Sequence, residues 1–218
     1  MKTCMIFDLD GTLLDTLEDL YRSTNAALTQ FGCAPRTKAE IRRFVGSGAR
    51  NLIRQSLPGT AEDPDLDEVL SFYQVHYGAH SQDNTCPYPG IPEALAQIAA
   101  EYPIAIVSNK PDGPVKTLCA RFFPGLYALG ETAGIPRKPQ PDMVHTCMRD
   151  LGADRCIYIG DSDVDVITAK NAGAPCLSVT WGFRDMPQLQ AAGAKYFCHR
   201  TEDLPQLLKQ IDEETYGK

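Results

Sequence analysis

The sequence predicts an α/β fold: a doubly wound, mostly parallel sheet with an α-helical block inserted into it. Three observations carry this prediction. Short apolar runs at 4–7, 104–108, 156–160 and 175–179 have the length and composition of buried strands. From residue 88 onward such runs alternate with stretches of helical periodicity, the pattern of strands joined by crossover helices. Between 15 and 81 the periodicity is helical throughout, with no convincing strand.

The first strand ends in Asp8, Leu9, Asp10, Gly11 and Thr12. Side chains alternate along a strand, so Asp8 and Asp10 point the same way, and Gly11 permits a tight reversal. Two carboxylates side by side cost stability unless something positive sits between them, which a magnesium ion with a phosphoryl group would supply; an Asp-rich turn is the other reading. Leu13, Leu17, Leu20, Ala27, Leu28 and Phe31 then recur at helical spacing up to Gly32, with Thr16 and Asp19 spaced as a capping box. A second box, Thr37 with Glu40, opens a helix through Ile41, Phe44 and Val45. Gly46-Ser47-Gly48 precedes a third helix over 49–57, a loop covers 58–64, and a fourth amphipathic helix runs over about 66–80.

Beyond the block the order is helix 92–101, strand 104–108, helix 115–123, short strand 127–129, helix 142–151, strand 156–160, helix 164–172, strand 175–179, helix 186–192, edge strand 196–198 and helix 204–211. The implied organisation is a catalytic core of 1–14 and 82–218 with a helical cap domain of 15–81. Sheets of this kind place their sites at the carboxyl ends of the strands, so an insertion directly after Gly11 stands where a lid belongs.

Composition excludes several classes of function. At 218 residues, 43% hydrophobic and 22% charged, the chain has no signature of disorder. Its net charge of −7 argues against nucleic acid or an anionic membrane as partner, though a locally positive pocket could still take a phosphorylated metabolite. The opening apolar run is too short for a signal peptide and none reaches membrane-spanning length, so a cytoplasmic protein, monomer or homodimer, is expected. The eight cysteines show no Cys-x-x-Cys pair and no zinc-ligand spacing; several lie inside apolar runs and read as reduced core thiols.

The interior strands end in groups suited to phosphate or metal: Asp8 and Asp10, then Ser108-Asn109-Lys110, then Asp161 followed by Ser162, Asp163 and Asp165. Lys138 lies on a loop stiffened by Pro136, Pro139 and Pro141. Each has a bland alternative. Ser108-Asn109 suits a plain turn, Lys138 a solvated loop, and Ser162 with Asp165 a capping box. Asp161 is hardest to dismiss, because a bare carboxylate after a buried strand is costly without a cation.

These four motifs, in this order, resemble those of the haloacid dehalogenase-like hydrolase superfamily: Asp8-x-Asp10-Gly11-Thr12, Ser108-Asn109, Lys138 and Gly160-Asp161-x-x-x-Asp165. The resemblance spans nearly the whole chain and implies a Rossmann-like core with a helical cap after the first motif. The second aspartate, Asp10, points to the phosphatase and phosphomutase branch. Tyr88-Pro-Gly90, Val107-Ser-Asn-Lys-Pro111, Lys138-Pro-x-Pro141, Val179-Thr-Trp-Gly-Phe183 and the cap segment Phe44-Val-Gly46-Ser-Gly48-Ala49 are similar to the phosphoglycolate phosphatase group, with Ser108 where a threonine is common.

By that resemblance Asp8 is the nucleophile forming an aspartyl-phosphate, and Asp10 the acid and base. Mg2+ would be held by Asp8, the Asp10 carbonyl and Asp161, with Asp165 behind them or as an alternative ligand. Ser108, Asn109 and Lys138 would hold phosphoryl oxygens, with Gly11 and Thr12 among the phosphate-facing positions. Gly46 and Gly48 would offer cap amides to a small anionic substrate, and Arg50, or Arg43, would pair with its second anion unless it is a surface cation. His76 and His80, four apart, read as an exposed helical face. A sugar phosphomutase and a pyrophosphatase are the alternatives to a magnesium-dependent phosphatase acting on a 2-phosphoglycolate-like metabolite.

Overall fold

In the computed structural model, which describes residues 1–217, the first apolar run is β1 (Thr3–Phe7), buried at all five positions. It pairs in parallel with β4 (Ile104–Pro111) on one side and β6 (Arg155–Gly160) on the other. With β5 (Tyr127–Glu131), β7 (Cys176–Val179) and β8 (Tyr196–Cys198) they form a six-stranded parallel sheet, ordered β5-β4-β1-β6-β7-β8. The chain builds outward from β1 to β5, then crosses back and builds the other way from β6. That reversal leaves a crevice beyond the carboxyl end of β1.

Strand periodicity divides the core into two layers. Met5 and Phe7 pack with α5 (Ile91–Ala99), α6 (Asp112–Phe122) and α10 (Leu204–Tyr216), through residues such as Leu95, Leu118 and Leu208. Cys4 and Ile6 face α7 (Asp142–Leu151) and α8 (Asp163–Asn171), through Met143, Val144 and Ala169. The strand ends at Phe7, so Asp8 and Asp10 stand just beyond its pleat, separated by a bend at Leu9, and not within it as expected. α9 (Met186–Ala192) lies between the last two strands in sequence, and all eight cysteines are unpaired.

The inserted segment folds as α1 (Leu17–Gln30), α2 (Lys38–Phe44), α3 (Ala49–Ser56) and α4 (Leu66–His80). These helices bury an apolar cluster of their own, including Leu20, Leu28, Ile41, Ile53, Val69 and Tyr73; Phe183, from the loop after β7, enters it. The Thr37–Glu40 capping box forms as expected, with Glu40 N–H donating to Thr37 Oγ1 at 3.3 Å and Thr37 N–H to Glu40 Oε2 at 2.7 Å. The Thr16–Asp19 box does not form. Asp19 is buried and takes the Asn84 N–H at 3.0 Å and the Thr85 N–H and hydroxyl at 2.8 Å. Several donors from the returning chain satisfy the carboxylate better than one helix amide would.

That contact accompanies an antiparallel ribbon absent from the expected elements, β2 (Leu14–Asp15) with β3 (Cys86–Pro87). Leu13, read as helical, precedes this ribbon, and α1 starts only at Leu17. β4 also runs three residues past Ser108, with Pro111 beside Glu131 on β5, and α6 begins at Asp112. The helix is expected only from 115, but Pro114 fits a helix's first turn, where its missing N–H has no partner to lose.

Candidate active site

The carboxyl ends of β1, β4 and β6 and the loop before α7 meet beneath the inserted helices. The cavity they enclose measures about 380 Å³. Asp8, Asp10, Ser108, Asn109, Lys138 and Asp161 line its floor, and Gly46 and Gly48 line its roof with Leu20, Leu52, Tyr73 and Tyr77. The structure thus brings together eight of the positions singled out in the sequence.

Lys138 is the hub of the floor. Its buried ammonium lies 2.8 Å from Asp8 Oδ1, 2.8 Å from Asp165 Oδ1 and 3.0 Å from the Tyr158 hydroxyl. Burial pulls its pKa down, but the flanking Asp165 and Asp8 carboxylates prevail and hold it well above the ordinary lysine value. Asp8 is displaced upward: burial disfavours its anion, and the Lys138 charge offsets only part of that against Asp165 and Asp161. Ser108 Oγ accepts the Lys110 N–H at 3.2 Å, which leaves its hydroxyl proton for a phosphoryl oxygen.

Asp161 is pressed against two glycines. A Cβ on Gly11 would stand 2.5 Å from Asp161 Oδ2, and one on Gly182 would stand 2.3 Å from Asp161 Cβ, so only glycine admits this approach. Gly11 is also at φ +88°, a conformation other residues adopt with strain. Thr12 Oγ1 donates to Asp161 Oδ1 at 3.1 Å and Phe183 N–H to Oδ2 at 2.6 Å. Gly11 and Thr12 therefore stand against Asp161 and do not line the cavity, which corrects their expected place at the phosphate.

Asp8, Asp161 and Asp165 each bring an oxygen within 4.8 Å of the others, the one set of this kind among the described residues. The donor set fits a hard divalent ion such as Mg2+. Four carboxylates (Asp8, Asp10, Asp161, Asp165) face two ammoniums (Lys110, Lys138), and the two uncompensated negative charges match one divalent cation. The three acids differ in freedom. Both Asp165 oxygens are taken, one by Lys138 and Tyr158, the other by the Ser162 N–H at 3.1 Å and hydroxyl at 2.6 Å. The second lone pairs of Asp8 Oδ1 and of the Asp161 oxygens are the better ligands, which leaves Asp8 Oδ2 unclaimed.

Lys110, expected with Ser108 and Asn109 among the phosphate- or metal-handling groups, ion-pairs with Asp10 Oδ1 at 2.9 Å and donates to the Tyr77 hydroxyl at 2.7 Å. Tyr77 and Arg184 escaped the sequence reading. Tyr77 reads in sequence as one more apolar position of α4. Arg184 bridges core and insertion, bonding Asp163 at 3.1 Å and the carbonyls of Arg42 and Val45 at 3.0 and 2.7 Å. Asn109 Nδ2 donates to the carbonyls of Gly46 (3.0 Å) and Lys138 (2.9 Å), tying roof to floor. Arg50, expected at the substrate, instead pairs with Asp67 on the exposed surface, outside the cavity, and Arg43 is exposed. His76 and His80 lie apart from the site, bonded to Ser23 and Asp83.

Acids that can attack or protonate, cations that can hold an anion, and a crevice at a parallel sheet's switch point roofed by the inserted helices define an enzyme of phosphoryl transfer. The chain belongs to the haloacid dehalogenase-like hydrolase family, whose model matches residues 5–179, and within it the chain is a phosphatase. A phosphoglycolate phosphatase of Rhodobacter capsulatus is 37% identical over 194 residues, 86% of this chain and 88% of that one. One from Cereibacter sphaeroides strain ATCC 17029 is 34% identical over 216 residues, 95% and 98% of the two chains. The solved structure of a Lactobacillus delbrueckii subsp. bulgaricus chain, provisionally described as a phosphoglycolate phosphatase, superposes with a TM-score of 0.87 at 35% identity, covering 95% of this chain and 99% of that one. Among the described residues no helix is long and apolar enough to cross a membrane.

Proposed function

We infer that the protein hydrolyses a small phosphate monoester of the 2-phosphoglycolate kind, with Mg2+ and through an aspartyl-phosphate on Asp8. The observation that carries this reading is the disposition of Asp8: one oxygen held by Lys138, the other unclaimed, and Asp10 beside it on the cavity wall. Asp8 Oδ2 attacks phosphorus while the bond from phosphorus to the alcohol oxygen breaks. Asp10 gives its proton to that oxygen, so the alcohol leaves neutral. Water then attacks the same phosphorus, Asp10 takes its proton, and the acyl phosphate bond breaks to restore Asp8.

Lys138 and the Ser108 hydroxyl hold the phosphoryl oxygens throughout and offset the charge that develops on them. Asp8 and Asp161, with the Asp10 carbonyl, would hold Mg2+, which when bound adds a further positive charge at the phosphoryl group. Residues 15–81 act as the cap, moving on the β2–β3 ribbon and excluding water when closed. Cytoplasmic residence accords with the unpaired cysteines.

The test is release of phosphate from 2-phosphoglycolate and from p-nitrophenyl phosphate with Mg2+. Asp8→Asn should abolish both, and beryllium fluoride, which mimics the acyl phosphate, should inhibit. Turnover that survives Asp8→Asn would refute the mechanism.

A further inference from the structure

Three cations line the cavity, and two already have a task. Lys138, between Asp8 and Asp165, is the one assigned to the phosphoryl oxygens, and Arg184 is spent on Asp163 and two backbone carbonyls. Lys110 differs. Its side chain is only 4% exposed, its one ionic partner among the described residues is Asp10, and its ammonium lies 4.4 Å from the centroid of the Tyr77 ring while donating to the hydroxyl of that same tyrosine. The cap residues that line the cavity carry no charge, and Arg50 is committed to Asp67 outside it.

The geometry points to Lys110 and Tyr77 as the receptor for an anionic group on the leaving alcohol, attached to the carbon that bears the leaving oxygen. This rests on the phosphatase reading above and names its substrate class, a phosphorylated 2-hydroxy acid. Asp10 must reach the leaving oxygen at hydrogen-bond distance to protonate it. Lys110 Nζ already stands 2.9 Å from that same carboxylate. A carboxylate on the adjacent carbon ends about one hydrogen-bond length from the leaving oxygen, so one ammonium can contact both. The cap side of the cavity otherwise offers mainly apolar groups such as Leu20, Val45 and Leu52, which give a desolvated charge nothing. Tyr77 completes the receptor: its hydroxyl accepts from Lys110, and its own proton is free to be donated to a second carboxylate oxygen. Because Tyr77 belongs to α4 and Lys110 to β4, the receptor is whole only when the cap is down.

The test compares kcat/KM for 2-phosphoglycolate and for ethyl phosphate, which has a methyl in place of the carboxylate, in the full-length protein with Mg2+. The wild type should prefer 2-phosphoglycolate. Lys110→Met should cut that preference about 30-fold and Tyr77→Phe several-fold, chiefly through KM, while Lys110→Arg should keep most of it. A parallel loss of both substrates in Lys110→Met would overturn the proposal, because it would mean that Lys110 acts only through Asp10. Should these variants fold poorly, the wild type decides alone: glycolate should inhibit competitively at least about tenfold more tightly than ethylene glycol. Equal inhibition by the two would overturn it. A wild type active on p-nitrophenyl phosphate but indifferent to the carboxylate sinks the receptor and leaves the phosphatase standing; inactivity on every ester sinks both.

Discussion

Lys138 and Asp8 are separated by 130 residues of sequence, yet their side chains meet at 2.8 Å and both are buried. Removing one partner leaves the other charge buried and unpaired, the costliest way to break an ion pair. Lys138→Met should lower kcat by about three orders of magnitude, as loss of one preorganised donor does, and lower stability by about 3–5 kcal/mol by stranding Asp8 and Asp165. Steady-state kinetics with p-nitrophenyl phosphate and urea denaturation separate the two effects. Asp8→Asn should lose activity while keeping most of the stability.

Asp161 gives the metal-free protein a recognisable pH dependence. Burial, and then the Asp165 charge, push its carboxyl up to about 7, above the ordinary value near 4 in an unfolded chain. Between those values the folded form binds more protons than the unfolded one, so stability falls as pH rises. In chelator-treated protein the wild-type melting temperature should therefore drop between pH 5.5 and 8 relative to that of Asp161→Asn. Added Mg2+ should raise the wild-type value most at the alkaline end, and calorimetry across that range checks both slopes.

Arg50→Ala should change little. Its ion pair with Asp67 is solvent-exposed, and such pairs contribute little because water screens them and both side chains lose freedom. We expect kcat/KM within about twofold of wild type on 2-phosphoglycolate. A loss of an order of magnitude would place Arg50 at the substrate after all.

Asp19→Ala tests the root of the insertion. The variant strands the buried Thr85 donors and frees the Asn84 amide to water, at about 3 kcal/mol in total. Asp19→Asn should recover part of this, because its carbonyl still accepts while its NH2 faces other donors. Urea midpoints of the three proteins give the order.

Phosphatase and phosphomutase chemistry share Asp8 and Asp10 and part only at the second half-reaction. With β-glucose 1-phosphate the protein should release phosphate if it turns over at all. Glucose 6-phosphate, followed with a coupled dehydrogenase, should not accumulate.

The features legible in the sequence are those with a local cause. An unbroken apolar run announces β1, and the two aspartates that follow it line one cavity, although the strand ends at Phe7 and the chain bends at Leu9 between them. Lys138 was recognisable from its order among the motifs, although its place beside Asp8 depends on where β1 and β6 pair. What stayed hidden depends on distant partners. The Leu14–Asp15 and Cys86–Pro87 strands are two residues each and exist only because the chain returns to meet itself. Asp19 has capping spacing but is claimed by residues 65 and 66 positions away. Tyr77 lies in an apolar helical stripe, and such a stripe looks the same whether it faces a packed core or the wall of a cavity. Arg50 falls on the other side of this limit: its type and its loop suggested an anion, and a nearby aspartate took it.

The loop after β7 joins two of these regions through a single residue. The Phe183 amide is fastened to Asp161 while its ring is seated among the cap helices, and the next side chain, Arg184, grips the cap's own backbone. The acid at the floor and the helices of the roof thus share a mechanical linkage one peptide long. If the inserted helices move as the proposed cap, they pull on that amide, and under that reading the readiness of Asp161 to take a cation and the posture of the lid are two readings of one lever.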